Sequence, residues 1–371
     1  MSFFTNSGGW NVGRLIAAAC LAAGLAASAH AADAEPRFLD VTAQGYSRWE
    51  FSGDDVVAFY TGGVQFDYLG YHLAADELRY NQATKVAEAT GHVNLAFDSV
   101  NADCDQLTLD GIKGELRIPG ALTGFLERPA LAFTAAGGAL LTFPPGETVE
   151  DLAQTRITLS GGVVVTGEHQ SRLETDGLVF SGADSQIYTS GAFTLTADFG
   201  KPELGDSGTL DLSPITLRGA SLTGIVSQDR GITSALITQA DVSSPQLKLA
   251  GAQIVLRDTA AETGTPHTWE VEGSGNPLSG TLIQPKQTIN FTAKTAVSAS
   301  DAEGLISLNL QGAVEVLVND MQLSAKQVLI ARAKEGYSIA MPSGVSAAFD
   351  LSQYSGSSIK LSSNVESLLG K

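Results

Sequence analysis

Several short constellations in this chain carry residue types that could do chemistry. Gly205-Asp-Ser-Gly208 has the order of a serine-protease nucleophile segment. Such a serine needs a further glycine, a general base and an orienting acid. Here Thr209 follows, and no Ala-His-Cys segment exists to supply the base, so the stretch reads as a turn. Asp103-x-Asp105, with Asp110-Gly111 beyond, offers carboxylates at the spacing that opens a calcium loop. The third ligand position is occupied by Leu107, and a hard cation takes only oxygen ligands, so strand followed by turn is the better reading. His72, His92, His169 and His267 show no paired or i, i+4 spacing of the kind that holds zinc. Gly273-Ser-Gly275 lacks the strand–helix context of a phosphate loop. Cys104 stands between two aspartates, which disfavour a thiolate. These residues predict no enzyme, no metal and no cofactor.

The elements around them follow a period of two. Val64-Gln-Phe-Asp-Tyr68, Val93-Asn-Leu-Ala-Phe97, Val163-Val-Val165, Phe193-Thr-Leu195 and Val314-Glu-Val-Leu-Val318 alternate and are bounded by Gly, Asn, Asp or Ser. That is the strand signal. Asp151 to Leu159 and Ser363 to Leu369 are the only helical candidates. The reading is all-β, built of many short antiparallel strands. Each strand has one dry face, which a second sheet or the same sheet folded over must cover. Val64, Phe66, Tyr68, Val93, Leu95, Phe97, Val163, Val165, Phe193 and Leu195 are expected on that face. Alternation alone leaves two interiors open: a filled core, or an apolar groove for a lipid chain.

A repeat underlies the pattern. Gly63, Asp76 and Gly91 are matched by Gly162, Asp176 and Gly191 about a hundred residues on, with Leu73-Ala-Ala-Asp76 against Leu173-Glu-Thr-Asp176. A third copy starts at Gly312 and Lys326, then drifts before Gly344-Val345. Fixed-period similarity points to stacked units, each covering its neighbour. The period fits one strand plus a turn, with Gly at the turn or a bulge. Breaks at Phe143-Pro-Pro-Gly146, 200–208 and 258–285 suggest a β unit over 32–205 and a second, divergent one over 206–371; one continuous sheet is the alternative.

Residues 1–31 read as a cleavable export signal. Arg14 is the only charge before Asp33, Leu15 to Ala27 is small and apolar, and Ala29-His30-Ala31 supplies a small-x-small cleavage site. Lipoprotein processing at Cys20 is the weaker alternative, because Ala17 stands where a large aliphatic residue is usual. The formal net charge of −18 becomes −19 once Arg14 leaves with the signal. Such a balance repels phosphate backbones and excludes nucleic acid as a partner. It also makes an anionic head group a poor main anchor. Aromatics at 7% are too few for the girdles of a membrane barrel.

Gly63-Val64, then Leu73-Ala-Ala-Asp76-Glu-Leu-Arg-Tyr80-Asn, the turn Asn81 to Lys85, and Val86-Ala-Glu-Ala-Thr-Gly91-His-Val93 resemble the OstA-like family of periplasmic lipopolysaccharide-transport proteins, of the LptA type and the periplasmic part of the LptD type. The resemblance covers about residues 56–110 well and 155–200 less well. It implies a folded-over β-jelly-roll with an apolar groove for the acyl chains of lipopolysaccharide or a related lipid. It also implies end-to-end joining to other OstA-like proteins by edge-strand pairing. The chain departs from the family in being about twice as long as a single bridging unit and in lacking clean Ala-Asp signatures in its second half. A secreted β-solenoid with a solid core and a structural or adhesive role is the competing expectation. A secreted polysaccharide-active enzyme is a third, and it lacks the clustered aromatics and carboxylates of that class.

Overall fold

The computed structural model describes residues 40–349, less the stretches 127–130, 145–154, 198–213 and 259–268 and gaps of one to three residues at other turns. Asp40–Ala43 (β1) and Ser47–Ser52 (β2) make a first rung, split in the middle. Asp55–Tyr68 (β3), Tyr71–Asn81 (β4), Val86–Phe97 (β5) and Val100–Asp110 (β6) follow as unbroken rungs. Two split rungs come next, Glu115–Pro119 with Leu122–Leu126 (β7, β8) and Leu131–Ala135 with Gly138–Thr142 (β9, β10). Arg156–Thr166 (β11) and Arg172–Ser181 (β12) are unbroken; Gln186–Thr189 with Phe193–Ala197 (β13, β14) and Ile215–Gly219 with Ser221–Ser227 (β15, β16) are split. Gly231–Ser243 (β17), Leu247–Asp258 (β18), Trp269–Gln284 (β19), Gln287–Asp301 (β20), Gly304–Val318 (β21) and Met321–Ala333 (β22) lead to a last split rung, Gly336–Ala340 with Ser346–Phe349 (β23, β24). Among the described residues, twelve strands run unbroken and six rungs are split in two, so the 24 strands of the single sheet make 18 rungs. All the ladders are antiparallel, and each rung pairs with the rung before and the rung after it.

The all-β reading of many short antiparallel strands holds, with one correction. Half of the strands span four to seven residues, and the unbroken ones run to 16 residues in β19. The helical candidate Asp151–Leu159 fails over the residues described: Arg156–Leu159 belongs to β11, where Ile157 and Leu159 pair with Leu141 and Ala139 of β10. Cross-strand burial outweighs local helical spacing there. Ser363–Leu369, the export signal over 1–31 and Cys20 lie outside the described residues.

Every rung bends near its centre, and the repeat marks the bend. Gly62-Gly63 of β3 lie opposite Asp76 of β4, and Gly91-His92 of β5 opposite Asp105 of β6. Gly161-Gly162 of β11 lie opposite Asp176 of β12, and Gly312-Ala313 of β21 opposite Lys326 of β22. In each case two residues face one, which is a β-bulge. Gly191 and Gly344 fall in the breaks of split rungs, so even the drifting third copy places its glycine at the bend. The hairpin turns lie elsewhere. At Asn81–Lys85 the Thr84 amide donates to the Asn81 side-chain oxygen at 2.8 Å, and at Asp110 the Lys113 amide does the same at 3.0 Å.

The bulge resets which side chains point inward. Along β4, Tyr71, Leu73 and Ala75 are buried, Asp76 and Glu77 are both exposed, and Leu78 is buried again. Strict alternation would turn Glu77 inward and Leu78 out. In β6 the same slip separates Ala102 and Cys104 from Leu107 and Leu109, across exposed Asp105 and Gln106. Each rung therefore has two arms with their dry faces on the same side. One arm carries β1, β8, β9, β14, β15 and β24; the other carries β2, β7, β10, β13, β16 and β23. The sheet folds along the line of bends, and residues from both arms join one continuous apolar cluster.

Backbones touch at the fold line. A Cβ on Gly161, whose φ is +77°, would stand 2.3 Å from the amide nitrogen of Gly137 on the neighbouring rung. Only glycine permits that approach in a left-handed conformation. The strands on either side of the expected boundary near residue 205 pair directly, β14 with β15 and β13 with β16.

Candidate functional site

Among the described residues, the interior between the two arms is one continuous apolar cluster. Of the residues expected to line it, Val64, Phe66, Val93 and Leu95 come from β3 and β5, Val163 and Val165 from β11, and Phe193 and Leu195 from β14. All eight are buried, between 0% and 7% exposed, and all belong to the single cluster. Register aligns them. Val64 faces Ala75, and Phe66 faces Leu73, which in turn faces Leu95. Val165 faces Leu173, which faces Leu195. All eight stand on the β1 arm. Tyr68 and Phe97 end β3 and β5, and their side chains lie outside the described residues.

The facing arm supplies the other half of the interior, and alternation gave no grounds for pairing it with the first. Leu78, Leu107, Leu116, Ile157, Ile187, Leu222, Ile237 and Ile254 are its buried counterparts. On the β1 arm, rings cover glycines: Phe133 lies over Gly124, Phe193 over Gly219 and Phe291 over Gly280, each across a register pair. An aromatic laid over a cross-strand glycine fills space that a second side chain would otherwise contest.

The interior meets solvent at its first rung. Trp49 and Phe51 are paired with Ala58 and Val56, so they share the inward face with buried Ala58. They are nevertheless 52% and 74% exposed, and Tyr46 beside them is 65% exposed. Trp49 meets Tyr60 edge to face, with ring centroids 6.0 Å apart. On the outward face of the same strands the chemistry differs. Arg48 stacks 4.6 Å over Phe59 and Arg79 lies 5.9 Å from the same ring. Arg79 also pairs with Glu88 at 2.8 Å. The outward aromatic is thus shielded by cations, while the inward aromatics at the end rung stand open.

Electrostatics at the interior and the fold line agree with an apolar site. Burial pushes the Tyr71 hydroxyl far above the usual tyrosine range. Burial also pushes the Cys104 thiol up to about 11, against a lowering backbone hydrogen bond from Gln106 and with a smaller push from Asp105 and Asp103. At the fold line His92 Nδ1 lies 2.7 Å from Asp76, whose hydrogen bond and charge raise the imidazole above its ordinary value. His72 pairs with Asp67 beside the β3–β4 turn. His169, His267 and Gly205-Asp-Ser-Gly208 lie outside the described residues. Asp103 and Asp105 project from β6, with Asp110 at its end. Among the described residues, no three His, Cys, Asp or Glu side chains gather in a metal-holding group.

No protein-family model matches the chain, and no curated protein matches it. Among solved structures, it is similar to the crystal structure of LptH, the LptA homologous periplasmic component of the conserved lipopolysaccharide transport device from Pseudomonas aeruginosa. Identity is 12%, the match covers 37% of this chain and 95% of that one, and the TM-score is 0.30. At that score the likeness carries no argument about function.

Proposed function

We propose that this chain is a periplasmic lipid carrier that holds the acyl chains of lipopolysaccharide, or of a related acylated lipid, between the two arms of its folded sheet. The observation that carries the reading is the apolar interior, continuous from rung to rung, with Trp49 and Phe51 standing open where it meets solvent. A methylene moved from water into such an interior contributes about 0.8 kcal/mol, so a dozen give on the order of 10 kcal/mol before ordering costs. No charged contact is needed, which suits a chain of net charge −18. Among the described residues β1 and β2 pair only with β3, and their other edges, beside those aromatics, suit edge-strand pairing with another protein of the same architecture. The export signal over 1–31 and the periplasmic location belong to this proposal.

A second reading has its own support. Val64, Val163 and Val165 are fully closed, so the interior as it stands is packed, and lipid must part the arms to enter. A solid-core structural β-protein would show the same packing.

The deciding experiment places a photo-crosslinking side chain at Phe66, Leu95 or Gln65 and loads the purified mature protein with lipopolysaccharide. The proposal expects labelling at the inward Phe66 and Leu95 and little at the outward Gln65. Equal labelling at all three, or protein free of lipid in native mass spectra after loading, favours the solid core.

A further inference from the structure

The outward face of the β1 arm carries a second concavity, separate from the interior. A cavity of about 460 Å3 crosses six strands, from Asp241 of β17 to Gln322 of β22. Two outward register rows form its walls, and the row between them, Leu249, Gly280, Phe291 and Val316, is its floor, with the Leu249, Phe291 and Val316 side chains buried in the core. Lys248, Thr281, Asn290, Leu317 and Gln322 are successive cross-strand partners. Beside them run Asp241, Ala250, Ser279, Thr292 and Glu315. The trough is hollow because its middle strands present small groups, Ala250, Ser279 and the backbone at Gly280. Its ends carry the longer Lys248, Glu315 and Gln322.

The chemistry of the walls selects the ligand. Strand amides and carbonyls along the trough are engaged in ladders, so recognition falls to side chains. Five of those side chains, Ser279, Thr281, Asn290, Thr292 and Gln322, are hydroxyls and amides, which both donate and accept hydrogen bonds. Thr281 Oγ1 and Asn290 Oδ1 already share one bond of 2.9 Å, leaving the Asn290 amide nitrogen to donate outward. Hydroxyl groups of a sugar match such walls. An acyl chain does not, because it would strip water from these polar groups without replacing their hydrogen bonds. A polyanion does not either, since Asp241 and Glu315 outnumber Lys248. Side chains repeat along each row at the strand spacing of about 4.8 Å, which suits a ligand of repeating units laid across the strands. The exposed Leu317 offers a small apolar patch for a sugar-ring face.

We propose that this trough binds an uncharged oligosaccharide chain, lying across β17–β22 on the face opposite the interior. The proposal stands independently of what the interior holds. Titration calorimetry on the full chain tests it with two lipid-free probes. One is maltoheptaose; the other is the neutral repeat-unit chain of the polysaccharide released from lipopolysaccharide by mild acid, freed of its acidic core. Saturable binding of either probe at millimolar concentration is expected, and which one binds separates a free glycan from the sugar part of a glycolipid. Ser279→Phe should fill the trough and weaken binding at least about tenfold. Asn290→Ala with Gln322→Ala, which adds no bulk, should weaken it in the same direction while leaving the circular dichroism spectrum unchanged. Absence of saturable binding of both probes, or binding undiminished in a folded Ser279→Phe and in the double alanine variant, overturns the proposal.

Discussion

At the residue scale, two side chains report on the fold line. His92 is held in its charged form first by the hydrogen bond to Asp76 and then by that carboxylate's charge, with Asp105 adding to it. Its folded pKa is therefore raised above the ordinary 6.5. The stabilisation is present in full below that ordinary value and is lost as pH rises through the folded value. Asp76→Asn should bring the His92 midpoint back down in a proton NMR titration; an unmoved midpoint would mean the contact does not persist in solution. Cys104 behaves oppositely to a reactive thiol. With its pKa pushed up to about 11, the thiolate at pH 8 should be about 100-fold scarcer than that of an ordinary thiol near pKa 9. Iodoacetamide should modify it slowly in the native protein and quickly in urea, and equal rates would contradict its burial. Within one arm the inward faces of Val64, Phe66, Val93, Leu95, Val163, Val165, Phe193 and Leu195 were legible, because period two is a local signal. The openness of Trp49 and Phe51 was not, since alternation assigns a face without saying what covers it.

At the element scale, the bend governs. The repeating glycines and aspartates were visible in the sequence, but a turn and a bulge leave the same mark there. The distinguishing signal was the paired polar step, Asp76-Glu77 and Asp105-Gln106, where alternation slips by one and then resumes. The same pairing defeated the helical spacing around Ile157, because helix propensity is a weak prior beside two hydrogen-bonded neighbours. Neighbouring glycines give a sharp test. Gly161 and Gly162 both have positive φ, but only Gly161 presses on backbone; a Cβ on Gly162 meets nothing within 4 Å. Gly162→Ala should cost about 1–2 kcal/mol from the backbone alone. Gly161→Ala should cost more, roughly 3 kcal/mol or above, because the Gly137 rung must move. Urea unfolding of both variants measures the difference, and equal losses would remove backbone contact as the reason for glycine there.

At the scale of the whole molecule, the 18 rungs form one meander. The division near residue 205 falls among residues outside the description, and the ladders β13–β16 and β14–β15 join its two sides. Those ladders predict a single calorimetric unfolding transition; two well-separated transitions would support two units, 32–205 and 206–371. The exposed aromatics at the first rung give a prediction of the same scale. Trp49→Ser with Phe51→Ser should lower the unfolding midpoint only slightly, because Phe51 is mostly open and Trp49 is half open with Tyr60 as its ring contact, while reducing association measured by light scattering. A large fall in stability would show instead that the pair is part of the core.

Among the described residues each rung pairs only with its two neighbours, so no ladder closes the sheet and fixes how many rungs there must be. Removing one hairpin, for instance β21 with β22, leaves β20 and β23 with the same cross-section to pair against. The 18 rungs extend roughly 80 Å along the ladder direction, and each hairpin accounts for about 10 Å of it. The architecture is thus a ruler graduated in hairpins. Gene duplication or loss can reset its length in fixed steps while the apolar interior keeps its width.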